Sequence, residues 1–91
     1  MPYINEESRE RLSLFQAHAL AAPIRTDGEL VYALTQVIEG YRANHGTNFS
    51  ILNQIGGALD NTKDEFRRRI QHPYENGKKM QNGDVYIGAV D

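Results

Sequence analysis

Apolar residues recur at helical spacing along most of this chain, and the pattern predicts three main helices. The clearest signal follows Asn48: Ile51, Leu52, Ile55, Leu59, Thr62, Phe66 and Ile70 fall within an arc of roughly 100° when wound at 100° per residue. That stripe predicts a helix from the Asn48 cap to about Gln71. A second stripe, Leu30, Leu34, Val37, Ile38 and Tyr41, predicts a helix that opens at Thr26 and closes near Asn44. Thr26 and Glu29 have capping-box spacing, and Gly46 is a suitable terminator. The first helix is predicted from Glu6 to Ala22. Asn5 is its cap, Glu6 and Glu7 favour the positive end of its dipole, and Pro23 stops it.

The first helix has apolar residues on two sides. Leu12, Phe15, Ala19 and Ala22 share one face, while Leu14, Ala17 and Ala21 share nearly the opposite one. Such a helix calls for two neighbours, one from its own chain and one from a second subunit. Gly56 and Gly57 lie inside the third helix, where each costs about 1 kcal/mol relative to alanine. Close approach of another backbone is the expected reason. His72-Pro73 is expected to interrupt the third helix, and Pro73 suits the first turn of a short fourth one running from Tyr74 to about Met80. Asn82-Gly83 is a strong turn signal, and Val85-Tyr86-Ile87 after it predicts an extended C-terminal tail. The expected fold is all-α: an antiparallel hairpin of the second and third helices, the first helix across it, the short fourth helix and the tail. Residues 1–91 are expected to form a single helical domain.

Composition narrows the function classes. The 91 residues include no cysteine, so disulfides, thiolate metal sites and a cysteine nucleophile are all absent. A chain this short has room for one modest core, which with the two-sided first helix predicts a homo-oligomer. No apolar run approaches the roughly 18 residues a membrane span needs, and no membrane partner is expected. The N-terminus turns polar where a signal peptide would need its apolar core, so the expected location is cytoplasmic. The formal net charge of −2 argues against a dedicated nonspecific nucleic-acid binder.

The charge is nevertheless unevenly placed. Arg67, Arg68, Arg69, Lys78 and Lys79 supply five of the ten basic residues, with Tyr74 among them. Basic groups beside an aromatic ring suit a nucleotide, with charge for phosphate and a ring face for the base. The candidate ligand-binding residues are therefore Arg68, Arg69, Tyr74, Lys78 and Lys79. Helical phasing puts Arg69 inside the apolar stripe, paired with Glu65 one turn earlier or reaching for an anion. It puts Arg67 and Arg68 outward, in solvent. Tyr32 falls on the far side of the second helix, expected to pack on the first helix or to lie on the surface.

Carboxylates at Glu6, Glu7 and Glu10 have the E-E-x-x-E spacing that all-helical nucleotide pyrophosphohydrolases use to hold magnesium. Their partner E-x-x-D is missing, since Asp60, Asp64 and Glu65 lack that spacing. His18, His45 and His72 form no ligand motif. No catalytic residue, metal ligand or cofactor is assigned, and nothing in the sequence requires an enzyme. Three readings follow: a non-enzymatic binding or interaction module, sequestering an anionic nucleotide-like ligand in its sharper form; a metal-dependent nucleotide hydrolase using carboxylates of the first and third helices; and a helical nucleic-acid or protein adaptor using Arg67 and Arg68.

The stretches MPYI, GELVYALT, KDEFRRRI leading to PYENGKK, and NGDVY resemble a small family of uncharacterised bacterial and phage proteins. Those chains begin Met-Pro-Tyr-Ile and end in a Tyr-Glu…Lys…Asn-Gly-Asp-Val-Tyr segment. The resemblance spans nearly the whole chain and supplies no activity. It implies a phage setting, in which proteins of this size serve as inhibitors, adaptors or sponges for signalling nucleotides.

Overall fold

The computed structural model describes residues 2–88, and within them every regular element is a helix. The fold is all-α, as the hydrophobic spacing requires. Helix α1 spans Glu6–Arg11, and the Asn5 side chain caps it by accepting the Ser8 N–H at 2.9 Å. The expected single first helix is divided at Leu12, whose backbone (φ −97°, ψ 4°) leaves the helical region. Ser13 restarts it, its hydroxyl donating to the Glu10 carbonyl at 2.8 Å. Serine that bonds back to a preceding carbonyl competes with the helix ladder and bends it. Helix α2 then spans Ser13–Ala21 and stops ahead of Pro23.

Helix α3 spans Asp27–His45. Thr26 accepts the Glu29 N–H at 3.0 Å. The Glu29 carboxylate reaches one residue further back than a capping box requires, accepting the Arg25 N–H at 2.8 Å. Gly46 closes the helix at φ 90°, a left-handed value that glycine reaches without a Cβ clash. Asn48 then caps helix α4, Phe49–Phe66, by accepting the Ile51 N–H at 3.0 Å. The turn is pinned on both sides. The Tyr41 hydroxyl donates to Gln54 Oε1 at 2.7 Å and its ring lies 4.2 Å from that of His45. Arg42 holds Glu39 and Thr47. These contacts tie the end of α3 to the start of α4 across a short turn; beyond it the two helices make little further contact.

Beyond Phe66 the chain differs from expectation. His72-Pro73 does not interrupt the helix. Residues 67–71 form a π-helical turn, in which the His72 N–H bonds to the Arg67 carbonyl, five residues back. Helix α5, His72–Asn82, follows with helical backbone angles at the junction. Proline has no N–H, and its ring collides with the carbonyl four residues earlier; a widened turn ahead of it relieves that collision while the helix continues. The stretches of 18, 5 and 11 residues therefore run on as one helix of roughly 50 Å at 1.5 Å per residue. The longest dimension of the protein is 49 Å.

Gly83, at φ 87°, ends α5. The tail leaves it through a turn in which Asp84 Oδ1 accepts the Tyr86 N–H at 2.9 Å. The predicted extended tail is thus a bend at its start, and residues 89–91 lie outside the described residues.

Packing is the unexpected feature. Among the described residues no side chain is fully buried. Residues on the strongest apolar stripe stay half open, with Leu59 42% and Phe66 56% exposed. The Cα radius of gyration is 17.3 Å, against about 12 Å for a compact chain of this length. The surface area is 8274 Å², where a folded monomer of 10.3 kDa exposes about 5,400 Å². The expected reason for the glycine pair also fails within the chain, because a Cβ built on Gly56 or Gly57 meets no atom within 4 Å.

Candidate functional site

The basic candidates divide between two elements. Arg68 and Arg69 belong to the π-helical turn, and Tyr74, Lys78 and Lys79 to α5. Arg68 is committed to a carboxylate. Its guanidinium grips Glu65 through Nη2 at 2.8 and 3.1 Å and through Nε at 3.3 Å. Glu65 is the covered partner, its side chain 19% exposed against 60% for Arg68. It also accepts the Tyr3 hydroxyl at 2.7 Å, which ties the N-terminal lead to the far end of α4. The hydrogen bonds from Arg68 and Tyr3, in that order, hold the Glu65 carboxyl below the usual carboxylate range. The bond to Glu65 raises the Tyr3 phenol, since loss of its proton would leave two anions in contact.

This reverses the expected pairing. Phasing assigns Glu65 to Arg69 and leaves Arg68 in solvent, yet Arg68 takes the carboxylate. Residues three and four positions on are both neighbours on a helix, so regular winding leaves the choice open. The winding changes at residue 67, where the wide turn begins. Arg69 makes no hydrogen bond or ion pair among the described residues, although its charge acts on both Glu65 and Tyr3.

On α5 the structure brings two candidates together. Lys78 Nζ lies 5.7 Å from the centre of the Tyr74 ring, within cation–π range, and the ring is 65% exposed. Lys78 and Lys79 also line an open groove of about 370 Å³, closed on its other side by the returning tail at Gly83, Asp84 and Tyr86. Glu75 shares that groove. Basic spacing in the sequence did not reveal that Glu75 and Asp84 would sit among these lysines. Among the described residues the candidates therefore form an ion pair at Glu65, an unpaired Arg69, and a lysine–tyrosine surface on α5.

A second concavity was not anticipated. It holds about 600 Å³ between α2 and α3 and is lined by Phe15, His18, Ala22, Tyr32, Gln36 and Val37, with other small and apolar side chains. Tyr32 faces the first helical region, as expected, across an open groove rather than in a packed contact. The two-sided wheel of the first helix was the sequence signal for it. Among the described residues no group of three His, Asp or Glu side chains comes together to hold a metal ion. No described helix is long and apolar enough to cross a membrane.

Residues 1–85 match the family described as a domain of unknown function, DUF6899. The chain belongs to that family. The match runs from the N-terminal lead that binds Glu65 to the Asp84-Val85 turn beyond α5, so it spans the hairpin, the π-helical turn and the lysine–tyrosine surface together. No curated protein and no solved structure matches the chain. Membership of DUF6899 brings no reaction and no ligand with it, and the functional reading rests on the geometry above.

Proposed function

We propose that this chain is a non-enzymatic helical interaction module that works by packing its apolar helix faces against a partner. The supporting observation is the absence of a buried side chain among the described residues, in a sequence whose α4 stripe is regular over about five turns. Amphipathic helices draw most of their stability in water from packing that stripe. The absence of cysteine agrees with work in the reducing cytoplasm. A sample dilute enough to separate any copies is expected to bind the dye anilinonaphthalene sulfonate strongly and to melt without a sharp transition. A dilute chain that ignores the dye and melts cooperatively carries its own core, and the reading ends there.

Two observations support a ligand-binding version of the same reading. Arg69 has no partner among the described residues, and Lys78 already rests over the Tyr74 ring. An anionic nucleotide would place phosphate at Arg69 and Lys78 and its base on Tyr74. Arg68 would serve only by exchanging Glu65 for the ligand, and Lys79 would line the approach. Calorimetry against a panel of nucleotides is expected to show binding that Arg69→Ala weakens by roughly tenfold or more, the loss of one charge-assisted contact, without changing helix content. Absence of heat with the unaltered chain removes the nucleotide from the proposal.

A further inference from the structure

The apolar residues on both arms of the hairpin follow a rule beyond simple amphipathicity. On α4, Leu52, Ile55, Leu59, Thr62 and Phe66 are spaced 3, 4, 3 and 4 residues apart. On α3, Leu30, Leu34, Val37 and Tyr41 are spaced 4, 3 and 4. Alternating threes and fours are the seam of helices that pack side by side along their length, knobs into holes. The hairpin gives each seam only partial cover, since the seam residues at its middle, Leu34 and Val37 on α3 and Leu59 on α4, remain about half exposed. Two helices joined by a short turn, each with an open seam, supply half of a four-helix bundle.

We infer that the occupant of this face is a second copy of the chain, whose own α3–α4 hairpin completes a four-helix bundle about a two-fold axis. Area supports a copy over a small partner. The chain exposes 8274 Å², roughly 2,900 Å² beyond a folded monomer of its mass. Removing that excess from both members buries up to roughly 5,800 Å², within the range of obligate homodimers. A two-fold axis also makes the fit self-complementary, because each hairpin presents the same two seams and receives the same two. A net charge of only −2 per chain opposes the approach weakly. Gly56 stands beside Leu52 and Ile55 on the flank of the α4 seam, and the space above it is open.

The inference rests on the interaction-module reading and names its partner, so the test separates the two. Sedimentation of the full chain at micromolar concentration is expected to give about twice the 10.3 kDa chain mass. On dilution, helix content should fall with the same midpoint as the mass. Leu59→Glu, which places charge in the seam, is expected to leave monomer, whereas Asn61→Glu on the outer face keeps the dimer. A dimer that survives Leu59→Glu overturns the proposed face, and a larger closed assembly overturns the two-hairpin arrangement. A monomer at every concentration overturns the second copy outright. Dye binding by that monomer still upholds the interaction-module reading, and a compact, dye-silent monomer ends both. The dilution series on the unaltered chain decides the matter even if Leu59→Glu fails to fold.

Discussion

Pro73→Ala is expected to turn the π-helical turn into ordinary α-helix and to raise the melting temperature. In a helix interior proline stands about 3 kcal/mol below alanine, partly from the lost N–H and partly from its ring meeting the carbonyl four residues back. The widened turn at 67–71 relieves the second contribution and leaves the first. The expected gain is therefore about 1–3 kcal/mol, and the restored amide at position 73 should bond the Arg69 carbonyl. The His72 N–H should move from the Arg67 carbonyl to that of Arg68. Tightening the turn by one residue's worth of winding also rotates α5 by roughly 100° relative to α4. Tyr74 and Lys78 then keep each other but lose their present relation to Arg69, so a nucleotide bound across both elements would bind more weakly. Amide exchange at His72 and at the substituted position, with a thermal melt, reads these changes. Unaltered exchange and melting would show that something other than Pro73 sustains the wide turn.

That turn also marks where sequence reading stopped working. The caps at Asn5, Thr26 and Asn48, the Gly46 stop and the short connection from α3 to α4 were legible because each depends on side chains within a few residues. Pro73 reads as a break, since proline usually ends or kinks a helix. A π-helical turn is the alternative, and it depends on how much the flanking helices gain by continuing, which no local pattern states. The Glu65 assignment failed nearby: Arg68 and Arg69 are both within reach of a carboxylate one turn back, and the winding changes at residue 67. The hold of Tyr3 on Glu65 spans most of the chain, and helical phasing carries no information at that range. Open packing was not legible, since size and the two-sided first helix pointed to one modest core with a second subunit, whereas no described side chain is fully buried.

Gly56 and Gly57 should respond to alanine with different signs. Within one chain neither Cβ would meet an atom within 4 Å, so each substitution alone should stabilise α4 by about 1 kcal/mol through helix propensity. The two positions differ only in an assembly. Gly57 falls on the outer face of the 3-4 repeat, and Gly57→Ala should keep its full stabilising effect at every concentration. Gly56 lies on the flank of the seam, beside Leu52 and Ile55. If a second helix seats there, the added methyl must displace it, and overpacking of that kind costs about 1–3 kcal/mol. Gly56→Ala should then raise helix content in the dilute, separated chain and lower the stability of the concentrated one. Urea unfolding of both variants at low and high protein concentration distinguishes these outcomes. Equal stabilisation by both substitutions at high concentration would mean that no backbone approaches Gly56 even in the assembly, and the seam would have to close along another flank. A reversal confined to Gly56 would give the glycine pair the close approach that its placement inside a helix predicts, with the neighbour supplied by the second chain.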